Sequence, residues 1–259
     1  MQITFDLISD LNIIYDLDWE GQPTSLYCVV AGNISRDRNV LLETLEHLGK
    51  QYKTVFYIDG SLDHRDQLSD ISESFRELKC QIKKMNNVIF LQDNIAFTDN
   101  VAFIACNGWW TYDFDPYIDG DQTELLLKEE WQCNTGDLAN VYALAYSDAR
   151  YMSSSIKKLQ EYEEIEKIVI ITNTVPVPQL IHDTLSRESV RFNLLGNSLL
   201  RQCKIGDTRG LIDTWCFGHY ENPVDEVFDG IRFVSNPRRN LEDAWDKIPY
   251  NPKKIIIDS

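Results

Sequence analysis

Residues 25–64, SLYCVVAGNISRDRNVLLETLEHLGKQYKTVFYIDGSLDH, decide the fold class. Ser25 to Ala31 is a short run of β-branched, aromatic and apolar residues closed by Gly32-Asn33, and Thr54 to Ile58 is a second, closed by Asp59-Gly60. Between them, Arg38 to Gln51 sets Val40, Leu41, Leu45 and Leu48 at helical spacing. A strand, a helix and a strand in one short segment predict parallel pairing, the unit from which α/β domains are built.

Outward from this unit the pattern continues. Ile3 to Ile8 reads as a preceding strand. Asp66 to Met85 reads as a second amphipathic helix, with Ile71, Phe75, Leu78 and Ile82 on one face. Val88 to Gln92, Ile95 to Thr98 and Val101 to Cys106 are three brief strand signals with Asp and Asn at the turns, which predict a meander. Gly108 to Asp121, GWWTYDFDPYIDGD, has no regular period and reads as an aromatic, acidic loop. Leu138 to Ile165 has the period of a long helix, and Ile168 to Thr172 that of a buried strand expected to pair in parallel. Near the end, Asp229-Gly230 between apolar runs is a hairpin signal. No repeat or Pro/Gly/Ser linker interrupts residues 1–259, so one domain is expected, with residues 240–259 a peripheral tail.

Bulk properties narrow the function classes. The 259 residues hold 25 basic and 41 acidic side chains, a formal charge of -16. Such a surface repels phosphate backbones and anionic lipid, so neither nucleic acid nor a membrane is an expected partner. The six cysteines lack CxxC spacing and several stand in apolar runs, which predicts buried free thiols. Residues 2–9, QITFDLIS, read as a strand rather than an apolar h-region, and no apolar run approaches a membrane span. A cytoplasmic protein is expected.

Five loops at strand ends carry a family signal: ISDLN (8–12), AGNIS (31–35), YIDGSLDH (57–64), ITNTVP (171–176) and FGHYEN (217–222). In order and spacing they resemble the motifs of the calcineurin-like metallophosphoesterases, which run D-x-H, G-D, G-N-H-D or G-N-H-E, T-H and G-H-x-H. NGWWTYDF (107–114) and FGHYENPVDEVFDGIRFVSNPRR (217–239) resemble a loop and the closing turn and hairpin of that family. The resemblance implies a four-layer α/β sandwich, with two sheets face to face, helices outside and a site where the five loops converge. It also implies a two-metal centre whose bridging hydroxide attacks a phosphate ester.

Residue by residue, the implied ligands are mostly replaced. Asp10 stands where the family has Asp, but Asn12 stands in the place of His. The aspartate that bridges the metals is Asn33. Two dications about 3.5 Å apart repel by about 19 kcal/mol at an effective dielectric near 20, and a neutral amide does little to offset that. Ser61 replaces Asn and Leu62 replaces the His, removing its proton chemistry. Asn173 replaces His, His219 is kept, and Glu221 replaces the last His. His64, two residues past Leu62, would need a reshaped loop to substitute.

Asn33, Ser61, Asn173 and His219 together carry no charge and one imidazole, so the second metal is expected to be absent. Asp10, Asn12, Asn33 and Glu221 form an all-oxygen set that would suit weak Mg²⁺ or Ca²⁺ binding. The residue types also suit a plain structural role, since Asp and Asn at strand ends commonly bond to nearby backbone. His47 and His182 read as surface or packing residues, and Trp109-Trp110 as a core plug. Arg238 and Arg239 are candidates to meet an anion.

Two functions follow from the resemblance. In the first, the chain is a pseudoenzyme that binds a protein or a small ligand, as the phosphoesterase-like subunit of retromer and accessory subunits of some replicative DNA polymerases do. In the second, it is a single-metal phosphoesterase using Mg²⁺ or Ca²⁺ at Asp10, Asn33 and Glu221, with His219 as general acid. The first expects no cofactor. The aromatic, acidic loop is the candidate interface, and no sequence feature favours monomer over dimer.

Overall fold

The protein is described from a computed structural model, which places residues 2–14, 21–65, 70–114, 121, 122, 125, 135–182, 190–238 and 250–258. The first sheet contains β1 (Gln2–Ile8), β2 (Tyr27–Ala31), β3 (Thr54–Ile58), β4 (Val88–Phe90) and β11 (Lys253–Asp258), in the order β11-β1-β2-β3-β4. The second contains β5 (Asn94–Thr98), β6 (Val101–Ala105), β7 (Lys167–Thr172), β8 (Ile212–Phe217), β9 (Val224–Phe228) and β10 (Ile231–Ser235), in the order β5-β6-β7-β8-β10-β9. β1 to β4 pair in parallel, as do β6, β7, β8 and β10.

The central strands are buried on both faces, and their alternation assigns each side chain to a layer. Val29 and Ala31 of β2 point inward, where they join Phe5, Leu7, Phe56 and Ile58 against Phe103, Ala105, Val169, Ile171 and Val234 of the second sheet. Phe103 bridges the sheets, its ring stacked on Phe56 with centroids 4.9 Å apart and edge-on to Phe5 at 5.6 Å. The alternate residues Cys28 and Val30 face outward with Leu41, Leu45 and Leu48 of α1 (Arg38–Gln51) and Leu78 and Ile82 of α2 (Ile71–Ile82). Met152, Ile156 and Leu159 of α3 (Thr135–Leu159) cover the outer face of the second sheet with Ile168, Ile170 and Trp215. This is the four-layer α/β/β/α sandwich, with two mixed sheets flanked by helices.

Asp37 and Asp70 cap α1 and α2 by accepting from the Asn39 and Val40 amides and from the Glu73 amide, which fixes where each helix starts. The expected start of α2 at Asp66 falls on residues 66–69, outside the described set.

The structure corrects three expectations. The three short strands are not a meander: β4 pairs with β3 in the first sheet, while β5 and β6 form an antiparallel pair in the second. The chain changes sheets between Phe90 and Asn94, and a strand's local sequence says nothing about its neighbour. The long helix stops at Leu159 rather than Ile165, because the charged residues that follow turn back through successive three-residue hydrogen bonds. Residues 253–258 are an integral edge strand antiparallel to β1, with Ile255 and Ile257 fully buried, and not a peripheral tail.

Among the described residues, Cys28, Cys106, Cys203 and Cys216 are buried free thiols, whereas Cys80 is exposed; Cys133 lies outside that set. No helix among them is long and apolar enough to cross a membrane.

Candidate functional site

The C-terminal ends of β1, β2, β3, β7 and β8 lie at one edge of the sandwich, so the loops after them converge. Asp10, Asn12, Asn33 and His219 all have left-handed backbone, with φ of 50°, 49°, 58° and 67°. Asp, Asn and His are the non-glycine residues that enter this region most readily. The turns therefore select Asp and Asn at these positions whatever else the loops do.

Backbone bonds tie the loops together. The Asp10 amide donates to the Gly32 carbonyl at 3.1 Å, the Asn12 amide to the Asn33 carbonyl at 3.1 Å, and the Gly218 amide to the Asn173 carbonyl at 3.0 Å. Gly60 allows the closest approach: a Cβ there would sit 2.2 Å from Asn33 Oδ1 and 2.4 Å from the Asn33 amide nitrogen. Gly60→Ala is thus expected to drive the two loops apart and cost about 3 kcal/mol in chemical denaturation.

Three of the expected site residues meet directly. Asn33 Nδ2 donates to Asp10 Oδ1 at 2.8 Å and faces His219 Nδ1 at 3.4 Å, while Asn33 Oδ1 accepts from the Leu62 amide at 3.0 Å. The His219 amide also donates to Asp10 Oδ1, at 2.8 Å. At the other end of its ring, His219 Nε2 donates to the Leu194 carbonyl at 2.9 Å, and Trp110 stacks on its face with centroids 5.9 Å apart. This pattern fits a neutral imidazole carrying its proton on Nε2, and burial lowers its pKa further.

Asp10 is 1% exposed, and burial pushes its carboxyl up to about 7 despite the donors on Oδ1. Glu221 lies on an exposed turn, near enough for its charge to add to that rise. Asn173 is fully buried; its Nδ2 donates to the Ala31 carbonyl at 2.9 Å and its Oδ1 accepts from the Ser61 amide at 3.4 Å. Asn12 is only partly buried. Asp10, Asn33 and His219 therefore form the centre, Asn173 and Ser61 brace the loops beneath it, and Asn12 and Glu221 stand at its margin.

Sequence reasoning passed over Asp63. Its fully buried carboxylate accepts from the amides of Ile34, Ser35, Asn33 and Gly60 and from the Tyr57 hydroxyl, at 2.8 to 3.2 Å. Burial raises its pKa while these donors pull it back down. It is the clamp between the loops after β2 and β3, and its position as the acidic end of the GSLD text was the available signal. Leu194 was missed because residues 173–210 have no clear periodicity.

His64 is no slipped ligand: its Nε2 bonds Asp59 at 2.7 Å and its Nδ1 bonds Ser74 at 2.9 Å. Trp109 and Trp110 are buried, 3% and 2% exposed, as a core plug, and Trp110 also forms the wall beside His219. His47 is partly buried and bonded to Gln51, and His182 is exposed and bonded to Glu226. The Arg238 amide joins the Ser9 carbonyl. Arg239 and residues 115–120 of the aromatic loop lie outside the described set.

The fold is metallophosphoesterase-like. The crystal structure of phosphopantetheinyl hydrolase from Mycobacterium tuberculosis is similar with a TM-score of 0.72 and 14% identity, over 98% of this chain and 96% of that one. A putative 5'-nucleotidase from Staphylococcus aureus, solved in complex with alpha-ketoglutarate, is similar at 0.50 and 12% identity, over 92% of this chain but 49% of that one. At these identities the likeness carries the fold alone. No protein-family profile and no curated protein matches the chain. Among the described residues, no group of three or more His, Cys, Asp and Glu side chains is placed to hold a metal.

Proposed function

We propose that this chain is a metallophosphoesterase-fold pseudoenzyme, a scaffold that acts by binding a protein or a small ligand rather than by two-metal hydrolysis. One observation carries the reading. The Asn33 side chain aims a hydrogen-bond donor at Asp10 Oδ1 and His219 Nδ1, two of the lone-pair atoms that a cation between them would use, and leaves Asp10 Oδ2 as the carboxylate oxygen without a donor among the described residues. A metal requires lone pairs converging on it, whereas here an N–H group takes them up and the only oxygen of that amide is bonded to the Leu62 amide. The residues present do not fit the two-metal centre of the resemblance.

The same contacts disfavour a single hard cation at Asp10, Asn33 and Glu221, because Asn33 Oδ1 is already engaged. They also disfavour His219 as general acid. Its Nε2 proton is committed to Leu194, and a lowered pKa leaves little imidazolium to donate.

The test is elemental analysis and thermal melting of protein purified without chelator. The scaffold should contain no stoichiometric Mn, Fe or Zn, and the shift in its melting temperature between EDTA and excess Mn²⁺ should be the same in wild type and in Asp10→Asn. Asn33→Asp would place a second carboxylate against Asp10, so this variant should melt lower in EDTA and be rescued by Mn²⁺. Two transition-metal ions per wild-type chain, or a saturable Mn²⁺-dependent rise in melting temperature that Asp10→Asn abolishes, would overturn the proposal.

A further inference from the structure

A second polar cluster, joined by its own side-chain hydrogen bonds, is built from Asp59 after β3, Gln92 after β4, Asn107 after β6 and Asp148 on α3. All four side chains are buried, between 0% and 5% exposed. Their contacts form one connected chain. Asn107 Nδ2 donates to the Asp59 carbonyl at 2.9 Å and lies 3.5 Å from Asp59 Oδ2. The next amide, that of Gly108, donates to Asp148 Oδ2 at 2.7 Å, and Gln92 Nε2 donates to Asp148 Oδ1 at 3.2 Å.

The cluster is short of donors. Asp59 Oδ1, Gln92 Oε1 and Asn107 Oδ1 are shut off from solvent and meet no hydrogen-bond donor among the described residues. Three such oxygens in one network are unusual, because each buried unpaired acceptor costs about 1–3 kcal/mol. Two carboxylates lie in the same network. Among the described residues, the basic side chain bonded to them is His64, whose Nε2 sits 2.7 Å from Asp59 Oδ2. Asp93, exposed on the turn after Gln92, adds a third acidic group and marks the side nearest solvent.

We propose that Asp59 Oδ1, Gln92 Oε1 and Asn107 Oδ1 form a binding site for a hard, oxygen-liganded cation. Amide and carboxylate oxygens are the donors that Na⁺, K⁺, Mg²⁺ and Ca²⁺ take, while the absence of thiolate or imidazole lone pairs at these positions disfavours zinc and its neighbours. A cation accepts several lone pairs at once and offsets the excess negative charge. A water molecule supplies two donors and offsets none of it. The site ties the ends of β3, β4 and β6 to α3, so its role is to fix the two sheets and the helix in register.

The test uses the intact chain, stripped with chelator and melted in choline chloride at constant ionic strength with NaCl, KCl, MgCl₂ or CaCl₂ titrated in. At least one cation should raise the melting temperature saturably. Gln92→Met removes Oε1 at nearly constant length, and should weaken that response by about tenfold or more. Gln92→Glu keeps an oxygen and adds charge, so it should tighten the response and keeps the test decisive if the methionine variant does not fold. Asp10→Asn should leave the response in place, which separates this site from the strand-end loops. If none of the four salts exceeds choline, the three oxygens hold water only and the proposal fails. It fails equally if the titration midpoint is the same in wild type and both Gln92 variants.

Discussion

Asp10→Asn is expected to make the protein more stable at pH 8, although Asp10 is the one acidic residue kept from the ligand set of the resembling family. The carboxyl is buried and its pKa is raised from 3.8 to about 7, with burial as the largest cause. A raised acid binds its proton more tightly in the folded state than in the unfolded one. Its contribution is therefore full below pH 3.8 and falls away as pH climbs toward 7. At 1.36 kcal/mol per unit, ionising Asp10 in the folded protein costs about 4 kcal/mol by pH 8.

Asparagine copies the neutral form. It keeps an oxygen for the Asn33 and His219 donors, and it tolerates the φ of 50° at this position at least as well as aspartate. Urea denaturation between pH 4 and 8 should show wild type losing stability as pH rises, with the variant overtaking it and the gap widening to a plateau above pH 7. Asp63 and Asp148, also raised, act in the same direction, and neutral His219 acts in the opposite one below its ordinary 6.5. Both effects largely cancel in the difference between the two proteins. An Asp10→Asn variant less stable than wild type at pH 8 would mean that the carboxylate is held charged by a cation, against the scaffold reading.

Asp63→Ala is expected to be among the most damaging single substitutions in the chain. It strands four backbone amides and the Tyr57 hydroxyl, all now donating to one buried carboxylate. Each orphaned donor costs about 1–3 kcal/mol if it stays dry, and partial access of water lowers the total, so a loss of at least about 4 kcal/mol is expected. For a domain of this size that is a fall in melting temperature of roughly 10 °C. Asp63→Asn keeps one oxygen but turns an amide N–H toward donors, and should lie between alanine and wild type. A loss under about 1 kcal/mol for the alanine variant would show that the loops after β2 and β3 hold together without the clamp.

Much of the layout was legible in the sequence because it is written in local periodicity. A run such as YCVV can satisfy its backbone only by pairing on both edges, and Leu41, Leu45 and Leu48 can bury a face only as a helix. Together they required a parallel, doubly covered sheet. The meander failed for the opposite reason: VIF and NIAFT declare themselves strands but carry no address, and it is the crossing between Phe90 and Asn94 that sends them to different sheets.

The sequence alone determined the α/β class, the five loops and the chemical identity of what stands in them, since charge and donor type belong to the residue. Only the tertiary structure decided how those groups act on one another. Which end of the Asn33 amide faces Asp10 is set by the Leu62 amide on its far side, and the protonation of His219 is set by the Leu194 carbonyl, 25 residues away in the chain. The Asp10 carboxyl is raised by burial among loops from distant parts of the chain. Hydrogen-bond direction and desolvation arise between parts of a folded chain, so no stretch of sequence contains them.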